Sequence, residues 1–150
     1  MLQQQYPTLN SHVFEKMQAT IEEARINCDS VGGMIECAIL NVPAGIGNPF
    51  FDSIESHLSP LLFSIPAVKS VSFGLGEKIT ELYGHEANDC YYYDDEKVKT
   101  KTNHNGGITG GISNGMPIIF RVGIKPTPSI SQVQQTVNIK TYRIRNYRKA

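Results

Sequence analysis

Cysteine is scarce in this sequence, and its few copies are scattered. Cys28, Cys37 and Cys90 are odd in number and show no C-x-x-C spacing, which argues against a disulfide framework. Free thiols of this kind are typical of a reducing compartment. Histidine, cysteine and acidic residues also lack the spacing of zinc ligands, so we expect no metal site.

Long apolar runs and an excess of charge of one sign are also missing. No apolar stretch approaches the roughly 18 residues that span a bilayer, and the N-terminal letters MLQQQYPTLN do not form a secretory signal. The 14 basic residues balance the 14 acidic ones, so no broad nucleic-acid footprint is visible. We therefore predict a cytoplasmic protein with no membrane and no nucleic-acid partner.

The composition is that of one ordinary globular domain. Hydrophobic residues make up 40% and charged residues 19% of the 150 positions, enough to bury a core. We expect a single domain over residues 1–150, with residues 1–9 and 141–150 disordered or atypical. The last segment is basic, with Arg143, Arg145, Arg148 and Lys149. It could contact nucleic acid or anionic lipid, or it could be an exposed end without a partner.

The spacing of apolar residues predicts helices and strands in one α+β domain. Residues 12–27 have helical spacing, and Asn48 is expected to cap a second helix with Pro49 at its first position. Residues 86–111 are expected to be mostly irregular. The predicted strands are residues 33–42, apolar on both faces, 68–73 and 117–124, the last with Ile118, Phe120, Val122 and Ile124 facing inward. We predict an antiparallel sheet of at least three strands packed on helices.

The most distinctive stretch is residues 103–131, NHNGGITGGISNGMPIIFRVGIKPTPSIS. Five glycines open it, an alternating strand follows, and a Lys-Pro-Thr-Pro-Ser turn ends it. Dense glycines let backbone N–H groups approach a ligand closely, and successive N–H groups in turns hold anions. Lys125 adds a cation beside the hydroxyls of Thr127 and Ser129. The pattern predicts one wall of a site for a phosphorylated ligand, and a simple hairpin turn explains the glycines equally well.

These residues resemble the C-terminal signature region of chorismate synthase. Blocks upstream resemble family segments in the same order, namely DSVGGMIE, VPAGIGNPFFDSIESHLS, SIPAVKSVSFGLG and GHEAND. Together the resemblance covers roughly residues 8–140. It implies an α+β fold, with this chain as one half of the family's β-α-β sandwich, and assembly as a cytoplasmic homotetramer.

The resemblance also implies a cofactor and a substrate. The cofactor is reduced FMN, and the substrate is 5-enolpyruvylshikimate 3-phosphate, which the family converts to chorismate and phosphate by 1,4-elimination. Lys125 would pair with the flavin phosphate or with charge on the reduced ring. The implied FMN contacts are Pro66 (through its backbone), Ala67, Gly110, Lys125, Pro126, Thr127, Pro128 and Ser129.

Other family segments do not occur in the sequence. The two segments that supply the proton-transfer histidines are missing, and so is the Gly-Arg-His-Asp-Pro-Cys segment expected soon after residue 140. We therefore identify no catalytic residue and expect a fragment of the enzyme with negligible activity on its own. The alternative is a non-catalytic remnant that folds or self-associates without binding flavin, because half of a sandwich would expose an apolar face.

Three further polar positions have more than one interpretation. Arg121, on the polar side of the last strand, could bind a carboxylate or phosphate, or it could be solvated. His104, beside the glycines, is the one histidine expected near a ligand, though not as a catalytic acid. Asp89 matches a family position, and simple turn chemistry also explains it.

Overall fold

The fold comes from a computed structural model that describes residues 8–148. The chain forms two compact units, one of residues 1–32 with 125–150 and the other of residues 33–124. Residues 1–9 are expected to be disordered or atypical, and of these, residues 1–7 lie outside the described residues. Lys149 of the basic end also lies outside them.

Helices and strands are mixed along the described chain. The first elements are α1 (Ser11–Ile26), β1 (Gly33–Ile39), α2 (Ile54–Phe63), β2 (Val68–Phe73), a 3₁₀ helix (Gly76–Glu81) and α3 (Gly84–Ala87). They are followed by β3 (Tyr91–Asp94), β4 (Lys97–Thr100), β5 (Ile108–Thr109), β6 (Ile112–Ser113), β7 (Ile118–Ile124), β8 (Gln134–Asn138) and β9 (Arg143–Tyr147). The predicted α+β class is confirmed.

The larger unit is built on a three-stranded antiparallel sheet of order β1-β7-β2. Its central strand alternates as predicted, because Ile118, Phe120 and Val122 are buried while Arg121 lies on the other face. Helix α2 packs on β2 and covers the apolar face. Phe73 and Phe120 meet there, with ring centroids 6.1 Å apart. The core of this unit therefore lies between α2 and the sheet.

Strand β1 is shorter and more exposed than predicted. It lies at the edge of the sheet and ends at Ile39. Ile35 and Ile39 pair with Val122 and Ile118, yet they are 50% and 37% exposed. Helix α2 covers the same face of the sheet but packs at its other edge, on β2. The apolar residues on both faces of this predicted strand are therefore not covered on both faces.

Helix α2 begins later than the cap predicted at Asn48. Asn48 and Asp52 pair as an isolated antiparallel bridge, with N···O distances of 2.9 and 3.0 Å. The bond from the Asp52 N–H has the spacing of a helical bond, but the Asn48 N–H occupies the Asp52 carbonyl oxygen, which a helix starting at Asn48 would offer to residue 56. The predicted start is wrong, because the helix begins at Ile54. Ser53 caps the helix instead, because its hydroxyl oxygen accepts a hydrogen bond from the Ser56 N–H at 3.1 Å. Phe50, which lies between the two bridge residues, precedes the helix and is 92% exposed.

The segment expected to be mostly irregular, residues 86–111, contains regular structure. Strand β3 pairs with β4 in an antiparallel hairpin, and β5 begins within the segment and pairs with β6. The β3–β4 hairpin is polar and mainly exposed. It therefore lacks the apolar alternation by which a strand is identified in a sequence.

The smaller unit contains α1 and the β8–β9 hairpin. The Asn10 side chain caps α1 by accepting a hydrogen bond from the His12 N–H at 2.9 Å, which confirms the predicted helix. At the other end Cys28 has φ +55°, and the N–H groups of Cys28 and Asp29 turn back to carbonyls of the last turn. This is a Schellman arrangement. Strand β9 lies within residues 141–150, the segment expected to be disordered or atypical.

Candidate functional site

The glycine segment forms a tight hairpin with an open tip. Thr109 pairs with Ile112 across Gly110 and Gly111, whose φ angles are +61° and +84°. Positive φ at both central residues is typical of a type I′ turn, which favours glycine. A Cβ atom added at Gly110 would meet no atom within 4 Å. The backbone at Gly110 is therefore open to a ligand.

Other glycines of the segment pack against the chain itself. A Cβ on Gly107 would lie 2.5 Å from the Pro117 carbonyl oxygen, and one on Gly111 would lie 2.8 Å from the Ser53 Cβ. A Cβ on Gly106 would collide with the backbone nitrogen of Gly74, in the turn after β2. At these three positions glycine allows the backbone to pack closely against another segment of the chain.

An open cavity of about 770 Å³ lies beside the hairpin. Its walls include residues 41–44, residues 112–115, and Tyr91 and Lys97 of the β3–β4 hairpin. No ion pair involves Lys97 within residues 8–148. A cavity of this volume suits a small organic ligand. Sequence reasoning missed both side chains because they belong to the segment expected to be irregular.

A nearly buried carboxylate lies at the base of the glycine segment. Asp89 is 4% exposed. Its oxygens accept hydrogen bonds from the Thr102 hydroxyl (2.7 Å), the His104 N–H (2.8 Å), and the backbone and side-chain N–H groups of Asn105 (both 2.9 Å). Asp89 thus holds a loop that lies 13 to 16 residues further along the chain. An aspartate in a simple turn would bond only to its near neighbours, so turn chemistry does not explain these contacts.

The ionisation of Asp89 follows from this environment. Burial raises the pKa of the carboxyl group, because water no longer solvates the charge. Hydrogen bonds from Thr102, Asn105 and His104 favour the ionised form, and together they outweigh burial, so the pKa of Asp89 is lowered from its ordinary value. The loop is therefore held by a carboxylate anion at neutral pH.

The turn before β2 contains two of the predicted FMN contacts. The Val68 N–H reaches the Ile65 carbonyl oxygen at 3.3 Å, which closes a turn with Pro66 and Ala67 at its centre. Ala67 has φ +71°, at the position that glycine usually takes in a type II turn. Strained backbone of this kind is concentrated at functional sites. The sequence alone gives no sign of this strain.

Gly110 and the Pro66–Ala67 turn lie at opposite ends of α2. The Ile54 N–H at the start of the helix donates to the Gly111 carbonyl oxygen at 3.1 Å, whereas the turn follows the last helical residue, Phe63. A helix of 10 residues extends roughly 15 Å. The structure does not bring these two predicted contacts together within the larger unit.

The remaining predicted contacts, residues 125–129, belong to the smaller unit. All of them are exposed. The Ser30 hydroxyl donates to the Thr127 carbonyl oxygen at 2.7 Å, and the Gln134 side-chain amide donates to the Pro128 carbonyl oxygen at 3.0 Å. These bonds fix the backbone of the turn and leave its ammonium and hydroxyl groups at the surface.

Arg121 and His104 both have partners within the larger unit. The Arg121 guanidinium pairs with Glu36 at 2.5 Å and donates to the Gly74 carbonyl oxygen at 2.5 Å. This favours a structural role for Arg121 over anion binding. His104 is half-buried, and its Nδ1 lies 3.1 Å from the Glu86 carbonyl oxygen.

Neither a metal-binding cluster nor a membrane-spanning helix occurs in the described part of the chain. Over residues 8–148, no group of three or more histidine, cysteine, aspartate or glutamate side chains could hold a metal ion. In the same residues, no helix has the length and hydrophobicity needed to cross a membrane.

Comparison with known families gives a match over nearly the whole chain. The family model described as chorismate synthase matches residues 1–149. The chorismate synthase of Pyrococcus abyssi is 52% identical over 131 residues, which are 87% of this chain and 37% of that protein. The chorismate synthase of Methanocaldococcus jannaschii is 48% identical over 136 residues, 90% of this chain and 35% of that protein. The chain thus spans little more than a third of these relatives.

A solved structure shows the same similarity in three dimensions. The match is to a structure described as the crystal structure of chorismate synthase, with a TM-score of 0.72 and 35% sequence identity. It covers 77% of this chain and 35% of the solved chain. The observed combination of helices and an antiparallel sheet agrees with that fold.

Proposed function

Since this chain belongs to the chorismate synthase family, we propose that it forms part of the reduced-FMN site of that lyase. The proposed reaction removes phosphate and a proton from 5-enolpyruvylshikimate 3-phosphate and yields chorismate. When bound, reduced FMN supplies electron density for the departure of phosphate. Because the chain spans 37% of the Pyrococcus abyssi relative, we propose a share of the site rather than complete activity.

The observation that best supports this proposal is the open tip at Gly110. Its N–H has no hydrogen-bond partner within residues 8–148, and no atom occupies the space where a Cβ would stand. Backbone of this kind allows a flavin ring or a phosphate to approach closely. A side chain would block this approach, so glycine fits the position.

The turn of residues 125–129 would bind the charged end of the cofactor. The Lys125 ammonium would pair with the FMN phosphate, and the hydroxyls of Thr127 and Ser129 would donate hydrogen bonds to it. Pro126 and Pro128 fix φ, so less order must be gained on binding. At the Pro66–Ala67 turn, the backbone N–H of Ala67 has no hydrogen-bond partner among the described residues and would serve as a further donor.

A charge-removal experiment tests the proposal directly. Lys125→Met should raise the dissociation constant for reduced FMN about tenfold, since one charge-assisted contact is lost. Lys140→Met, in the same unit, is the matched control and should bind as the wild type does. Riboflavin has no phosphate, so wild type and Lys125→Met should bind it equally. Equal FMN affinity in wild type and Lys125→Met would contradict the proposed contact.

Partners and location are part of the same proposal. We propose 5-enolpyruvylshikimate 3-phosphate as the substrate of the assembled site and a homotetramer as the assembly. A cytoplasmic location agrees with free thiols at Cys28, Cys37 and Cys90. Adding the rest of the Pyrococcus abyssi enzyme in trans should restore flavin-dependent release of phosphate, and failure to do so would exclude a share in catalysis.

A second candidate is a non-catalytic remnant that self-associates. Phe50 and Phe51 are 92% and 90% exposed, and Leu61 is 67% exposed. Exposed apolar surface of this extent favours association. Sedimentation velocity separates the two candidates. Aggregates that grow with protein concentration and ignore FMN favour the remnant, whereas a defined tetramer with saturable FMN binding favours the lyase.

A further inference from the structure

Asp89 fixes the loop that leads into the glycine hairpin, and we infer that it is the positioning residue for the open tip at Gly110. This inference rests on the proposed function, because that function places FMN at the tip. Asp89 acts through the loop of residues 102–107, which connects it with the hairpin. The role is therefore to orient backbone that binds the ligand.

Each oxygen of the carboxylate has its own pair of donors. Oδ1 accepts from the Thr102 hydroxyl and the His104 N–H, and Oδ2 accepts from the two N–H groups of Asn105. A carboxylate only accepts hydrogen bonds and has about four sites for them. The loop therefore fills the capacity of Asp89. No ion pair to Asp89 occurs in the chain from residue 8 to 148.

Further hydrogen bonds join this loop to both strands of the hairpin. The Gly107 N–H donates to the Asn103 side-chain oxygen at 2.7 Å, and the Ile108 N–H donates to the Asn105 carbonyl oxygen at 3.4 Å. On the returning side, the Asn114 N–H donates to the Gly107 carbonyl oxygen at 3.0 Å. The base of the hairpin, where β5 begins and β6 ends, thus rests on backbone that the carboxylate holds in place.

Asp89→Asn tests this arrangement with little change of shape. The new side-chain oxygen still accepts from Thr102 and His104, but the new NH₂ group faces the two donors of Asn105. Donors that are left unpaired around a nearly buried side chain favour local rearrangement. We expect residues 103–107 to lose order while β7 keeps its own.

Two measurements on the full chain follow the effect, namely FMN titration and amide hydrogen exchange. Asp89→Asn should raise the dissociation constant for reduced FMN about tenfold and speed exchange at residues 103–107, with exchange in β7 unchanged. Asp94→Asn is the matched control, because it makes the same chemical change at a partly exposed ion pair with Lys99. It should leave both measurements as in the wild type.

A pair of reciprocal substitutions distinguishes a positioning role from a general loss of folded structure. The double variant Asp89→Asn with Asn105→Asp reverses donor and acceptor between the two side chains. It should recover part of the lost FMN affinity, whereas Asn105→Asp alone should not. If Asp89→Asn fails to fold, Thr102→Val removes one donor only and should weaken FMN binding by a smaller factor in the same direction.

The outcomes separate this inference from the proposed function. If the wild type binds FMN and Asp89→Asn binds it equally well, the inference is overturned and the proposed function stands. Faster exchange in β7 by the same factor as in residues 103–107 also overturns it, because Asp89 would then stabilise the whole unit. If the wild-type chain does not bind FMN at all, the proposed function fails, and the inference falls with it.

Discussion

Alanine substitutions at Gly107 and Gly110 separate backbone strain from steric overlap in the glycine segment. Both residues have positive φ, +79° and +61°, where an alanine costs about 1–2 kcal/mol. Only Gly107 has close neighbours, since an added Cβ would lie 2.5 Å from the Pro117 carbonyl oxygen and 2.8 Å from that of Met116. These are backbone atoms, which cannot rotate away as a side chain could.

The two variants should therefore differ in stability. Gly110→Ala should lower the free energy of unfolding by about 1–2 kcal/mol through strain alone. Gly107→Ala should lower it by about 2–5 kcal/mol, because overpacking adds about 1–3 kcal/mol to the same strain. Urea unfolding followed by circular dichroism measures both values, with the m-value as the check that the unfolded states are alike.

Gly84→Ala is the control for the substitution itself. Gly84 has neither a positive φ nor a neighbour within 4 Å, so alanine there should leave the stability unchanged or slightly raised. Equal losses at Gly107 and Gly110 would mean that the backbone yields at Gly107. The conclusion that this glycine is required by close packing would then be refuted.

Three further predictions follow from single residues. The folded state lowers the pKa of Asp89, so its stabilisation is complete above the ordinary carboxyl pKa and is lost as the pH falls through the lower folded value. Urea midpoints from about pH 7 to about pH 3 should therefore fall more steeply for the wild type than for Asp89→Asn, and parallel curves would contradict this. Ala67→Gly should raise the free energy of unfolding by up to about 1 kcal/mol by relieving the positive φ, and a clear loss in thermal denaturation would argue against strain. Phe120→Ala should lower that free energy by about 3–5 kcal/mol, because its side chain is buried against Phe73; a loss below about 1 kcal/mol would show that the core closes around the gap.

The sequence predicts β7 well because burial imposes a period of two on it. Ile118, Phe120 and Val122 alternate with less buried residues, and this pattern needs no knowledge of distant parts of the chain. The start of α2 could not be predicted in the same way. Asn48 has the chemistry of a helix cap, but its backbone pairs with Asp52 in a bridge. Local sequence preferences do not indicate whether the cap or the bridge forms.

The residue types of the candidate site could be predicted from the sequence, but the contacts among them could not. Residue type and family resemblance identify Gly110 as a candidate contact. They do not show that Gly107 packs on Pro117, or that Asp89 holds a loop through Thr102 and Asn105. Such contacts join residues far apart in the sequence, so they are set by tertiary packing.

The sheet order has a consequence for how the larger unit forms. Strand β7 is the only partner of β1 and β2 within the described residues, and Gly33 pairs with Ile124. During synthesis both earlier strands must therefore wait, with open edges, until the ribosome has released the last strand of the sheet. Pairing between such distant segments folds slowly, and open edges invite association with other chains. Nascent chains that stop before Ile118 should therefore depend on chaperones far more than those that have passed Ile124.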